Sequence, residues 1–128
     1  MDVPGDRFYS DYHVWVLPDS DSVMLGLSHY AIEQLGTVDF IELPELGAQI
    51  LRDSAFALVE TSKAVTELVA PVSGTVTSVN ASLQDHPELL EEDPYGAGWI
   101  VTLRLSDIDE LKSLMSASHY GMLLAPGA

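Results

Sequence analysis

The sequence predicts a mainly β fold of short antiparallel strands with short helices at its periphery, and three observations support this prediction. Runs of β-branched and aromatic residues recur along the chain between clusters of Pro, Gly, Asp and Ser. Two apolar runs flank a polar centre over residues 55–69, which is the pattern of a hairpin. Helical spacing of apolar residues is confined to short stretches. We therefore expect one strand-dominated domain over residues 1–128.

The composition supports a packed core and restricts the classes of partner. A chain of 128 residues buries about two-thirds of the surface that its unfolded form exposes, and 47% of the residues are hydrophobic. There are 20 acidic residues against 5 basic ones, which gives a net charge of −15. Because this charge repels phosphates and anionic lipid, we expect neither nucleic acid nor a membrane as partner. Proteins with a basic docking face are favoured instead.

The sequence also restricts where the protein is located and what redox chemistry it can perform. No apolar run approaches the roughly 18 residues that a membrane span needs. The acidic first six residues lack the apolar region of a signal peptide. The chain contains no cysteine, so disulfides, thiolate metal sites and cysteine nucleophiles are excluded. These features predict a cytoplasmic protein.

Strand signals surround one short helix in the first part of the chain. Turn formers at 18–22 join the first two predicted strands into a hairpin. Ser28 is placed to cap a helix that ends at Gly36. The next strand ends at Pro44, where a loop begins. The predicted strands of this part span 13–17, 23–27, 37–43 and 48–51.

After the hairpin at 55–69, the predicted pattern is strand, loop, strand and helices. Residues 80–98 are rich in Pro, Gly and acidic side chains and predict one long loop. Ser106 and Asp109 resemble a capping box for a helix that continues to about Met115, and Ser116 is placed to cap a last short helix. The two predicted strands span 75–79 and 99–105, and the last helix ends near 124.

Patterns typical of catalytic or metal sites are missing from the sequence. It contains no nucleophile elbow, no Walker loop and no glycine motif for dinucleotides. Trp15 and Trp99 lie in predicted strands and are interpreted as core residues, and the acidic run at 88–93 as a solvated loop. The histidines are too scattered to predict a metal site; they are His13, His29, His86 and His119. We therefore predict no catalytic residue and no metal.

Lys63 is one of only five basic residues and lies at the centre of the predicted hairpin. In an arbitrary β protein, such a lysine contributes solubility at a turn. The functional interpretation is that it is displayed for covalent attachment, because an exposed hairpin turn lets a modifying enzyme reach the amine. A group tethered there would visit several active sites at high effective concentration.

An ordered series of segments resembles the glycine cleavage system H protein family. Glu60-Thr61-Ser62-Lys63-Ala64 falls where that family has its lipoyl-lysine motif, and the series covers roughly residues 8–122. Its other members, in family order and spacing, are His13-Val14-Trp15-Val16, Gly26-Leu27-Ser28-His29-Tyr30-Ala31, Gln34-Leu35-Gly36, Phe40-Ile41-Glu42-Leu43-Pro44-Glu45-Leu46-Gly47, Pro71-Val72-Ser73-Gly74, Val79-Asn80 and Asp93-Pro94-Tyr95-Gly96-Ala97-Gly98-Trp99.

The resemblance implies a lipoyl-domain-like barrel-sandwich of two small antiparallel sheets and a non-catalytic carrier role. It implies that Lys63 is joined to lipoic acid through an amide bond by a lipoate-attaching enzyme. Glycine decarboxylase (P protein) would then load the arm with an aminomethyl group, and the aminomethyltransferase (T protein) would pass the one-carbon unit to tetrahydrofolate. Dihydrolipoyl dehydrogenase (L protein) would reoxidise the arm. We expect the carrier to be a monomer.

One departure from the family pattern keeps other functions open. The family commonly has a hydrophobic residue before the lysine, and Ser62 stands there in this chain. The main alternative is therefore a related protein that carries or relays lipoyl groups for another system. An unmodified acidic domain that binds proteins and an enzyme that uses carboxylates are weaker alternatives. Biotin attachment is disfavoured, because Ser62-Lys63-Ala64 lacks the methionines expected around a biotinyl lysine.

Overall fold

Two antiparallel sheets form the fold of this protein in a computed structural model that describes residues 2–124. The strands are β1 Phe8–Tyr9, β2 Val14–Asp19, β3 Ser22–Leu27, β4 Val38–Glu42, β5 Gln49–Ile50, β6 Ala55–Thr61, β7 Val65–Val69, β8 Gly74–Val79 and β9 Val101–Leu105. One sheet has six strands in the order β1-β2-β3-β9-β8-β5, and the other has three in the order β4-β6-β7. The predicted mainly β barrel-sandwich class is confirmed.

Short helices lie between and after the strands. Four are α-helical: α1 His29–Leu35, α2 Ser82–Asp85, α3 Leu89–Glu92 and α4 Ala117–Leu124. A 3₁₀ helix spans Ile108–Ser113. The Ser28 hydroxyl caps α1 as predicted, by accepting a hydrogen bond from the Ala31 amide at 3.2 Å. None of these helices is long and apolar enough to cross a membrane.

The main core lies between the inner faces of the two sheets. Strand alternation supplies it, since Val14 and Val16 of β2 and Val59 of β6 are fully buried and belong to one apolar cluster. Trp15 points to the opposite face of the six-stranded sheet, where it packs in a second cluster with Tyr9 and Tyr120. The six-stranded sheet is therefore covered on both faces, with α4 on the outer one.

One predicted segment differs from the structure because the burial of two leucines decides its conformation. The expected loop at 80–98 contains the one-turn helices α2 and α3, which bury Leu83 and Leu90. Neither helix has a side-chain cap, so its start gives no signal in the sequence. The prediction of an uninterrupted loop is wrong there.

The predicted capping box at Ser106 and Asp109 is also wrong. Asp107 is the cap, because its carboxylate accepts from the Asp109 amide at 3.0 Å, and the segment winds as a 3₁₀ helix that buries no residue. Met115 lies outside it and exchanges backbone hydrogen bonds with Tyr9 at 2.8 and 2.9 Å. This pairing holds β1, a two-residue strand too short to show an alternating pattern.

Candidate functional site

Lys63 is the central residue of the three-residue connection, residues 62–64, at the end of the hairpin formed by β6 and β7, and its side chain is exposed. Arg7, Arg52 and Lys112 each have a carboxylate oxygen within 4.0 Å of a side-chain nitrogen. For Lys63, no carboxylate of residues 2–124 comes within that distance. The predicted site residue is therefore displayed with its amine directed to no acidic neighbour in the described chain.

The Thr61 hydroxyl organises this turn. It accepts hydrogen bonds from the backbone amides of Lys63 and Ala64, each at 3.3 Å, while the Thr61 amide donates to the Ala64 carbonyl at 2.9 Å. Ser62 and Lys63 both have negative φ, so the turn is not of the type that favours Asn-Gly. The connection contains no Asn-Gly or Asp-Gly pair, and the Thr61 side chain supplies the hydrogen bonds of the turn instead.

The base of the hairpin is rigid because its inner face is packed. Val59 and Leu68 are buried in the main core, and β6 is paired on both sides, with β4 and with β7. The next residue along β6, Glu60, points outward and is exposed. Lys63 is therefore attached to a well-packed hairpin. The parts free to move are its own side chain and any group attached to it.

A groove runs along β7 beside this hairpin. Its volume is about 340 Å³, and its walls come from three distant segments of the chain. The side chains that line it include Tyr12 and His13 before β2, Ala31, Gln34 and Leu35 of α1, and Thr66, Glu67, Leu68 and Val69 of β7. Sequence analysis did not find this groove, since its walls come from segments that are distant in the chain and meet only in the folded structure.

His13 forms part of the groove wall in an unusual backbone conformation. Its φ is +66°, in the left-handed region that few non-glycine residues adopt. The Tyr120 hydroxyl lies 2.8 Å from Nδ1 of the His13 ring and fixes its position. Burial lowers the pKa of His13. The same hydroxyl lies 2.7 Å from the Oγ of Ser28, the cap of α1. Tyr120 therefore joins two walls of the groove.

The other sequence candidates do not form a second site. His29 contacts the carboxylate of Glu33 at 3.3 Å, and His86 contacts that of Glu88 at 3.0 Å. Within residues 2–124 no three His, Cys, Asp or Glu side chains are grouped as metal ligands. Trp15 is fully buried, as expected, and Trp99 is half-buried against the same cluster. Lys63, with the groove beside it, therefore remains the candidate site residue.

Comparison with known proteins assigns the family. A family model described as "Glycine cleavage H-protein" matches residues 7–126. A glycine cleavage system H protein of Thermus thermophilus is 43% identical over 124 residues, with 97% of each chain covered. One of Bacillus mycoides is 44% identical over 120 residues, with 94% of each chain covered. The chain belongs to the glycine cleavage H-protein family. The resemblance found in the sequence is confirmed.

A solved structure agrees with this assignment in three dimensions. The glycine cleavage system H protein of Mycobacterium marinum superimposes with a TM-score of 0.85 at 35% identity, covering 94% of this chain and 97% of that one. In this family member, the amine at the end of the β6–β7 hairpin fits a covalently attached acyl group. It is primary, exposed and free of a carboxylate partner within the described chain.

Proposed function

We propose that this family member is the lipoyl carrier of a glycine cleavage system and that Lys63 bears its N6-lipoyl group. The observation that supports this most is the position of Lys63, an exposed amine on a hairpin whose base is fixed in the core. We also propose that residues 1–128 act as one carrier domain. Attached there, the lipoyl group supplies a disulfide that can accept and release an aminomethyl group.

The role of the chain in this function is placement, not catalysis. The hairpin displays the attachment point away from the body of the protein, and the groove along β7 offers an adjoining surface for the attached group. A carrier must leave each partner quickly, and the net charge of −15 favours fast, salt-sensitive encounters over permanent interfaces. The need for short-lived encounters is a reason to propose a monomeric, non-catalytic subunit.

The proposed partners act on the arm in sequence. They are glycine decarboxylase (P protein), which loads the aminomethyl group, the aminomethyltransferase (T protein), which removes it, and dihydrolipoyl dehydrogenase (L protein), which reoxidises the arm. A lipoate-attaching enzyme must act before any of them. We propose a cytoplasmic setting for all four encounters.

Ser62 favours one alternative, a carrier or relay of lipoyl groups for another system. The side chain is exposed directly before Lys63, where an attaching enzyme would meet it. We expect Ser62→Val to change the rate of lipoylation by a standard lipoate ligase, as followed by intact mass. Equal rates for the two forms would remove this support for the alternative.

The proposed attachment is tested on protein purified from its native host. Intact mass should show one lipoyl increment, and peptide mapping should place it on the peptide that contains Lys63. The other lysine, Lys112, lies on the 3₁₀ helix and pairs with Asp109 at 3.3 Å, so it serves as the internal control. A wholly unmodified population, or a lipoyl group on Lys112, would contradict the proposal.

A further inference from the structure

The outer face of the three-stranded sheet has an alternating pattern of apolar and acidic side chains next to Lys63. Directly paired residues of antiparallel strands project from one face, and so do residues two apart on a strand. The register therefore places six side chains in two rows across β4, β6 and β7. The row nearer the turn contains Phe40, Glu60 and Val65, and the next contains Glu42, Leu58 and Glu67. We call these six residues the checkerboard face.

The apolar members of this face are unusually open to solvent. Phe40 is 39% exposed and Val65 is 61% exposed, although both are strand residues beside a packed core. Leu58 is half-buried between the two glutamates of its row. A cavity of about 240 Å³ adjoins that row and is lined further by Leu43, Pro44, Ala55, Phe56 and Ala57. The face thus offers a partner apolar contacts and a shallow recess.

The acidic members define the charge of the partner. None of the three glutamates of the face has a Lys, Arg or His nitrogen of residues 2–124 within 4.0 Å. Their charge is therefore not neutralised by the described chain. Arginine suits such a surface, because its guanidinium pairs with carboxylates and also stacks on an aromatic ring such as Phe40. The surface of a partner that complements this face has basic side chains around an apolar centre.

We propose that the checkerboard face is the docking surface for the enzyme that acylates Lys63, an inference that rests on the proposed function. This enzyme differs from later partners because it must act on the lysine amine itself. It has no attached arm to bridge the distance, so its active site has to close over the hairpin end. Phe40 and Val65 lie in the row that follows that end.

The acylation requires an activated acyl donor, which we take to be an acyl-adenylate. The neutral Nζ of Lys63 attacks the carbonyl carbon of the donor, and a C–N bond forms as the amide. The C–O bond to the phosphate breaks, and the phosphate leaves with the electron pair as AMP. One amine proton is lost to solvent or to a base of the enzyme. No oxidant or reductant is consumed, so docking and orientation are what the carrier contributes.

The test measures acylation of the full, unmodified chain by a purified lipoate ligase with lipoate and ATP, followed by intact mass. The double variant Phe40→Thr/Val65→Thr places threonine, a β-branched residue that favours strands, at both positions but removes the apolar contact. We expect kcat/KM to fall about tenfold, mainly through KM. Ile108→Thr is the matched control, because Ile108 is 60% exposed on the 3₁₀ helix, outside the checkerboard face. It should react like the wild type.

A charge reversal gives an independent measure if the double variant is poorly folded. Glu42→Lys should lower kcat/KM by repelling a basic partner. Glu92→Lys, which makes the same change on α3, should lower it much less. Circular dichroism and thermal melting establish that each variant is folded before its rate is compared.

The outcomes separate this inference from the proposed function. If the wild type is not acylated at Lys63, the proposed function fails and the docking surface fails with it. If the wild type is acylated and the double variant reacts equally fast, the docking surface is wrong and the carrier function stands. The double variant Phe40→Thr/Val65→Thr, once fully lipoylated, should keep the wild-type KM with glycine decarboxylase, because its net charge is unchanged. A raised KM there, with normal acylation, would assign the face to the decarboxylase and overturn the proposal.

Discussion

The phenolic hydroxyl of Tyr120 lies 2.8 Å from Nδ1 of His13, a residue 107 positions earlier in the chain. Tyr120 is fully buried on α4 and stacks on Tyr9 with ring centroids 4.6 Å apart. Burial raises the pKa of Tyr120 to about 12, so the hydroxyl stays protonated and can donate. The last described helix is thereby tied to the groove beside β7.

Removal of this hydroxyl should destabilise the protein. Tyr120→Phe keeps the stacked ring but leaves His13 and Ser28 without their shared partner, which we expect to cost about 1–3 kcal/mol in the free energy of unfolding. Urea denaturation measures the change. Tyr12→Phe is the control, because its hydroxyl bond to Asp53 at 3.2 Å is exposed. A loss no larger than in the control would show that the buried hydroxyl is not structurally important.

Stability should depend on pH through His13. Burial lowers the pKa of His13 in the folded protein below its ordinary value of about 6.5, so the unfolded chain binds more protons below that pH. The contribution of the neutral ring is complete above pH 6.5 and is lost as the pH falls towards the folded pKa. The difference in unfolding free energy between the wild type and His13→Asn should therefore shrink from pH 8 to pH 5. A constant difference would contradict this assignment.

The stability of the turn that contains Lys63 should depend on the Thr61 hydroxyl. Thr61→Val preserves shape and β-branching but removes the acceptor for two backbone amides, so we expect a loss of about 0.5–1.5 kcal/mol. Amide exchange at Lys63 and Ala64 should accelerate in the same variant. Thr61→Ser retains the hydroxyl and should behave more nearly like the wild type. If Val and Ser variants are indistinguishable, the hydroxyl does not hold the turn.

Carrier activity should require the amine of Lys63. Lys63→Arg retains the positive charge and the exposed position but is not acylated by lipoate-attaching enzymes. We expect turnover in a reconstituted glycine cleavage assay to fall to background, with an unchanged circular dichroism spectrum. Lys112→Arg should retain wild-type turnover. Residual carrier activity in Lys63→Arg would place the attachment elsewhere.

Docking to the decarboxylase should be sensitive to salt. With a net charge of −15, long-range attraction to a basic partner speeds encounter. Added salt shortens its range from about 10 Å at 0.1 M to about 3 Å at 1 M. We expect the KM for the lipoylated carrier to rise steeply with ionic strength while circular dichroism stays constant. A flat response would indicate that docking depends on uncharged contacts and that the acidic surface serves solubility.

The local features of the fold could be predicted from neighbouring residues alone. Ser28 caps α1 because a serine hydroxyl reaches an amide three residues later, and that geometry is contained in the segment itself. The β6–β7 hairpin follows from two apolar runs around a polar centre, which put Lys63 at the turn. Such signals need no knowledge of what packs against them.

Other features were decided by packing between distant segments. α2 and α3 form where Leu83 and Leu90 enter the core, and no local cap announces them. Gly26 is part of a recognisable segment, but its role is revealed only by the strand register: a Cβ there would clash with the ring of Trp15 on the paired strand.

The sequence by itself therefore determined the strand-rich class, the family and the exposed lysine, since periodicity, turn chemistry and ordered motifs are local along the chain. The tertiary structure alone decided the groove, the His13–Tyr120 contact and the checkerboard face. Each of these requires side chains from separate segments to meet at distances of a few ångströms. Such contacts depend on the strand register and on how the helices dock. The free energy of packing the whole core decides both.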